Sequence, residues 1–144
     1  MKLALSALLS ALLVGCAAAQ RVAVGFPADR TAAAAGSSIT VEIDRPDTLS
    51  ASTEVAVVIA INSCHNTTCI PPADILGSIL YNGPYSPKFQ PTAPASLPPH
   101  QNFTVTIPAA LPKGPAQLAV FHVSLIGAGP EPFTEIQNIT LIIQ

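Results

Sequence analysis

Side chains able to attack, shuttle protons or hold a metal are few in this sequence, and their spacing suits none of those tasks well. Three histidines are present: His65 lies between two cysteines, His100 follows a Pro-Pro pair, and His122 stands inside an apolar run. None is spaced like His-Glu-x-x-His, which sets two ligands on one helix face, so each reads as a solitary surface or strand residue. Glu42 and Asp44, two positions apart, share one face of an alternating segment. Paired carboxylates suit acid/base work, but the solvated face of a strand explains this pair more simply. Serines abound without the Gly-x-Ser-x-Gly elbow of a nucleophile. No catalytic, cofactor-binding or metal-binding residue is assigned.

Cysteine chemistry depends on the compartment, and the N-terminus speaks to that. Lys2, the apolar run Leu3 to Val14 and the small residues Ala17-Ala18-Ala19 have the form of a secretory signal over residues 1–19, leaving Gln20 as the first mature residue. The run is shorter than the roughly 20 apolar residues needed to span a bilayer, so the mature protein is expected to be secreted and without a membrane span. Leu13-Val14-Gly15-Cys16 also has the form of a lipoprotein processing site. Against that alternative stand three acceptor sequons for N-glycosylation, at Asn66, Asn102 and Asn138. Either way Cys64 and Cys69 remain, and an oxidising compartment favours a disulfide between them. A metal site built on His65 and the two thiolates lacks a fourth nearby ligand. Secreted copper oxygenases of sandwich shape ligate copper through an N-terminal histidine, a mechanism that Gln20 followed by Arg21 excludes.

Composition narrows the partners. Without Lys2 the six basic residues become five against eight acidic ones, a net charge of −3. Nucleic acid and anionic membrane surfaces both demand clustered Lys and Arg, and this chain has no such cluster. Charged residues make up only 10% of the sequence, so solubility rests on Ser, Thr, Asn and Gln, and on glycans where the sequons are used.

Residues 20–144 form one domain's worth of chain. The 15 prolines all fall here and with Gly interrupt every stretch that would otherwise be helical, which predicts an all-β fold. Val22 to Phe26 is a first short strand ended by Pro27. The Ala-rich tract from Thr31 to Ala35 is too short for a stable helix and is expected to form a turn or a single helical turn. Ile39, Val41 and Ile43 alternate with polar residues as in a half-buried strand, and Glu54 to Ile61 reads as a central strand covered on both sides. Ile75 to Leu80, Phe103 to Ile107, Ala116 to Leu125 and Ile136 to Ile143 follow, with an irregular Pro-rich stretch from Gly83 to Pro99. About seven strands at this spacing predict an immunoglobulin-like or fibronectin-like antiparallel β-sandwich.

Aromatic residues gather around the Pro-rich stretch. Tyr81, Tyr85 and Phe89 form a candidate binding surface, since rings in loops offer large contact area at low entropic cost. The alternative is that they cover the end of a core that has no Trp. Phe103 points inward by its alternation.

The order of motifs in the second half carries a resemblance: Leu80-Tyr81-Asn82-Gly83-Pro84-Tyr85, then Pro98-Pro99-His100-Gln101-Asn102-Phe103-Thr104-Val105, Ile107-Pro108, Pro112-Lys113-Gly114-Pro115-Ala116-Gln117-Leu118 and Leu125-Ile126-Gly127-Ala128-Gly129-Pro130. The chain resembles the necrosis-inducing secreted effector family of fungi, best over residues 76–144. The resemblance implies a non-enzymatic effector that acts on host cell death or immune signalling by binding a host or cell-surface protein, and it brings no catalytic residues. The alternative from another class is an extracellular carbohydrate- or cell-wall-binding module using Tyr81, Tyr85 and Phe89, with polysaccharide as its partner.

Overall fold

A computed structural model describes residues 21–47, 51–65, 68–94 and 96–144. The expected signal segment 1–19, Gln20 and the sequon residue Asn66 lie outside the described residues. Among those described, the chain forms eight strands and no helix: β1 (Ala23–Phe26), β2 (Thr31–Ala33), β3 (Ser38–Asp44), β4 (Ser52–Ser63), β5 (Ser78–Pro84), β6 (His100–Thr106), β7 (Gly114–Ile126) and β8 (Glu131–Ile143).

Three strands make one sheet in the order β1-β3-β6, and five make the other in the order β2-β8-β7-β4-β5. Period-two alternation decides which residues each sheet turns inward. Val41 and Ile43 of β3 and Phe103 and Val105 of β6 meet Val57, Ile59 and Ile61 of β4, Leu118 and Val120 of β7, and Leu141 and Ile143 of β8 in one buried cluster. The longest pairings, β4 with β7 and β7 with β8, run antiparallel along nearly the whole strand. They form the rigid middle of the large sheet.

Two expectations are corrected. Most of the Ala-rich tract is not a turn: Thr31–Ala33 is an eighth strand, paired parallel to Leu141–Ile143, and only the end of the tract turns, with Ser37 N–H donating to Ala34 C=O at 3.1 Å. Its backbone fills the open edge of β8, with Arg30 N–H donating to Thr140 C=O at 2.6 Å and Gln144 N–H to Ala33 C=O at 3.0 Å. The small Ala33 side chain is buried there. That pairing departs from a purely antiparallel arrangement. The strand expected from Ile75 instead begins at Ser78, because Gly77 must first bring the chain against β4. Gly77 has φ +85°, and a Cβ placed on it would strike the Ile61 carbonyl oxygen.

Candidate functional site

Charged and polar side chains converge where β4, β7 and β8 pass one another. Along β7 the inward positions are Ala116, Leu118, Val120, His122 and Ser124, all buried. His122 therefore points into the core although it is polar. Its direct partner across the β7–β8 ladder is Glu135, whose carboxylate Oε1 lies 3.1 Å from His122 Nδ1. From the other side Glu54 Oε2 meets His122 Nε2 at 2.5 Å.

Glu54 reaches the core only because β4 carries a bulge between Glu54 and Ala56. With one extra residue in the strand, Glu54 opposite Ser124 and Val57 opposite His122 both face inward. Val55, the residue in between, is thrown outward and is 42% exposed.

The remaining contacts satisfy both carboxylates. Arg45, just past β3, donates from Nε to Glu54 Oε1 at 2.8 Å. Its other nitrogens reach Pro46 C=O at 2.9 Å and Ser52 Oγ at 2.9 Å. Ser52 Oγ donates to Glu54 Oε1 at 2.7 Å. Glu135 accepts Val22 N–H at 2.8 Å and Gln137 Nε2 at 3.0 Å. Tyr85 lies edge-on to the imidazole with ring centroids 5.5 Å apart.

Burial opposes charge on Glu54, His122 and Glu135, and the hydrogen bonds outweigh it. Bonds from His122, Arg45 and Ser52 overcome burial and hold Glu54 down at about 2. Glu135 is held below its usual range in the same way, by His122, the Val22 amide and Gln137. The two carboxylates together raise His122 above 6.5 against the cost of its burial. In this cluster the His122 imidazole bridges the two carboxylates through its two nitrogens, and the Arg45 guanidinium adds a second partner to Glu54 alone. A proton-transfer catalyst must reach its substrate, whereas His122 is fully buried with both ring nitrogens occupied. The arrangement holds strands together, with neither ring nitrogen of His122 left free. At its Arg45 end the cluster opens on a cleft of about 300 Å³ also lined by Pro46, Asp47, Ser52, Glu54, Pro87 and Pro99.

The other residues singled out from the sequence fall apart in space. His65 is exposed at the disulfide loop, and Cys64 and Cys69 are bonded as expected. His100 is no surface residue. It opens β6, pairs with Asp44 across the ladder and is 3% exposed, with Nδ1 2.9 Å from Pro98 C=O. Lys88 bridges to it from the Pro-rich stretch, so that stretch covers this end of the outer face. Glu42 and Asp44 do share that face but are only partly solvated, packed over Gly25. Burial, then the neighbouring Glu42, raises the pKa of Asp44, and His100 partly offsets them.

The aromatic surface also needs correction. Tyr85 is 2% exposed, and its hydroxyl donates to Ile43 C=O at 3.1 Å. Tyr81 leans on Phe103 at 4.6 Å between centroids. Only Phe89, 64% exposed, remains open. A core without Trp takes Tyr85 as filler for its end, which removes it from any shared platform, while Tyr81 packs against the core and stays partly exposed. Asn102 and Asn138 are exposed, on β6 and β8 respectively.

The charged cluster was missed because His122, Glu54 and Glu135 are each unremarkable in sequence. Counting back by twos from Ile143 and Leu141 places Glu135 on the inward face, and counting from Leu118 and Val120 does the same for His122. The bulge that turns Glu54 inward leaves no mark in an apolar run.

The fold and this site define an all-β, two-sheet protein with a short disulfide loop and a buried ionic cluster toward one end of its core. Residues 17–142 match the family model described as the Nis1 family, an effector-like family of fungi, and the chain belongs to that family. No curated protein matches the sequence. Among the described residues no helix is long and apolar enough to cross a membrane.

Proposed function

We propose that this chain is a secreted effector-like protein that works by binding a host or cell-surface protein, without catalysis, and that its effect falls on host cell death or immune signalling. The observation that carries this reading is the family match over residues 17–142. Two features support it further. A disulfide between Cys64 and Cys69 suits an oxidising, extracellular setting, in keeping with removal of residues 1–19 and glycosylation at the sequons. The histidine with the most perturbed surroundings is committed on both nitrogens to its own fold, which fits a binding protein better than an enzyme. The polysaccharide reading required an open platform of three rings, and Tyr85 and Tyr81 do not supply it.

Purified protein starting at Gln20, infiltrated into plant leaf beside a heat-denatured control, is expected to cause cell death or to suppress the elicited oxidative burst. Leaves indistinguishable from the control in both assays would rule the proposal out for this chain.

A further inference from the structure

The outward face of the five-stranded sheet has an unusual make-up for a surface. The outward positions of β4 from Ala56 to Asn62, of β7 from Pro115 to Leu125 and of β8 from Pro132 to Ile142 include no charged side chain. Register aligns Ile79, Ala60, Ala119 and Asn138 in one row across four strands. The next row holds Asn82, Val58, Phe121 and Ile136. Ala60 and Ala119 are at most 1% exposed yet stand outside the cluster that joins the two sheets, so they form a sunken floor on the outward side. Ile79 beside them is 62% exposed, while Val58, Phe121 and Ile136 stay partly open. An apolar face of this kind normally marks something that covers it.

The acceptor of a sequon lies in that face. Asn138 is exposed directly opposite Ala119. Ile136 is two residues along the same strand, about 7 Å away, and Phe121 is the diagonal neighbour across the ladder, at a similar distance. A sugar attached to the Asn138 amide nitrogen therefore starts over the alanine floor, with the Phe121 ring and the Ile136 side chain within reach of the apolar C–H face of a pyranose. The other described sequon has a contrasting setting. Asn102 lies on the outward face of the small sheet, level with Glu42 and near Thr40, Thr104 and Asp44, where a glycan meets a polar surface.

We propose that an N-linked glycan on Asn138 is the cover of this face, its first sugars packing on the partly open Phe121 and Ile136, so that the glycan is part of the folded structure and not only a solubilising appendage. The inference rests on the secretory part of the proposed function.

It is tested on protein secreted from a eukaryotic host that attaches N-glycans, compared with Asn138→Gln and Asn102→Gln. The expected result is Asn138 occupied by intact mass, with Asn138→Gln melting several degrees lower and binding more of a dye that reports apolar surface, while Asn102→Gln melts as the wild type. Trimming the wild-type glycans to a single sugar should keep most of the stability, and complete enzymatic release should lose it. If Asn138→Gln is not secreted, that comparison of trimmed and released wild type decides the question. Wild-type melting and dye binding for Asn138→Gln would overturn the proposal, as would a bare Asn138 on protein whose Asn102 is occupied. Bare sequons throughout on secreted protein would overturn the proposal and leave the secretory reading standing, whereas wild-type protein that never reaches the medium would remove the secretory reading itself. A dimer with Asn138 unoccupied would assign the face to a second copy.

Discussion

At the scale of single residues, the physics of this protein is concentrated in His122. Two carboxylates with depressed pKa values flank one imidazole with a raised pKa, and the signs fix how stability follows pH. Glu54 and Glu135 contribute fully above about 4.5, their unfolded value, and lose that contribution as pH falls toward the folded value of Glu54, about 2. His122 contributes fully below 6.5 and loses it as pH rises through its raised folded pKa. Stability should therefore hold a plateau between about pH 5 and 6.5 and fall on both sides. Asp44, whose pKa is raised, acts in the opposite sense and softens the acid limb. Urea unfolding from pH 3 to 10 would show the dome, and His122→Gln should remove most of the alkaline limb. Because that change also leaves two buried carboxylates with one cation fewer, it should cost about 3–5 kcal/mol at neutral pH. An alkaline limb of unchanged slope in His122→Gln would assign the titration to another group.

Elements were legible in proportion to how much of their environment lies in their own sequence. The alternation in β3 and β6 is written residue by residue, and both strands form where the pattern places them. β4 is an interior strand of its sheet as expected, but it is covered on its inner face and not on both, since Ala56 and Val58 on the outward side stay partly open. By contrast β2 is a strand only because β8 offers it an edge, and three small residues cannot announce a neighbour more than 100 positions away. The start of β5 depends on one close approach. Gly77→Ala should cost about 1–3 kcal/mol, combining the left-handed φ with a Cβ against the Ile61 carbonyl, whereas Gly129→Ala, with open space around its Cβ, should change the melting temperature by less than a degree or two. Equal melting of the two variants would mean that Gly77 relaxes away from β4. The disulfide loop next to it closes only five residues of sequence separation, so Cys64→Ala with Cys69→Ala should cost roughly 2 kcal/mol or less in the chain-entropy model. Calorimetry should find the double variant folded and melting several degrees lower; a variant that no longer folds would give the loop a larger role.

For the molecule as a whole, the question is what fixes one sheet against the other, since apolar packing alone tolerates sliding. Among the described residues, besides the Val22 amide beside β1 that bonds Glu135 of β8, two polar ties from the β3 segment cross the gap: Arg45 at the end of β3 to Glu54 of β4, and the Ile43 carbonyl of β3 to the Tyr85 hydroxyl, just past β5. Both meet at the His122 end of the core, where Tyr85 also packs on Phe103 and the imidazole. Sequence reasoning left Tyr85 balanced between a binding surface and a core cover, because a tyrosine beside prolines fits both until the chain folds back. Its burial decides for the cover and leads to a graded prediction. Tyr85→Phe keeps the ring and loses one donor, at a cost of about 1 kcal/mol. Tyr85→Ala empties a well-packed site and should cost about 3–5 kcal/mol. Denaturant titrations would measure both, and the gap between the two variants is the part that burial contributes. Pull-down on chitin, β-glucan and cellulose should be the same for Tyr85→Phe as for the wild type. If instead Tyr85→Ala kept wild-type stability while abolishing retention on one of these polysaccharides, the ring would have to be at the surface, and both the core assignment and the reading of this chain as a protein-binding effector would need to be abandoned.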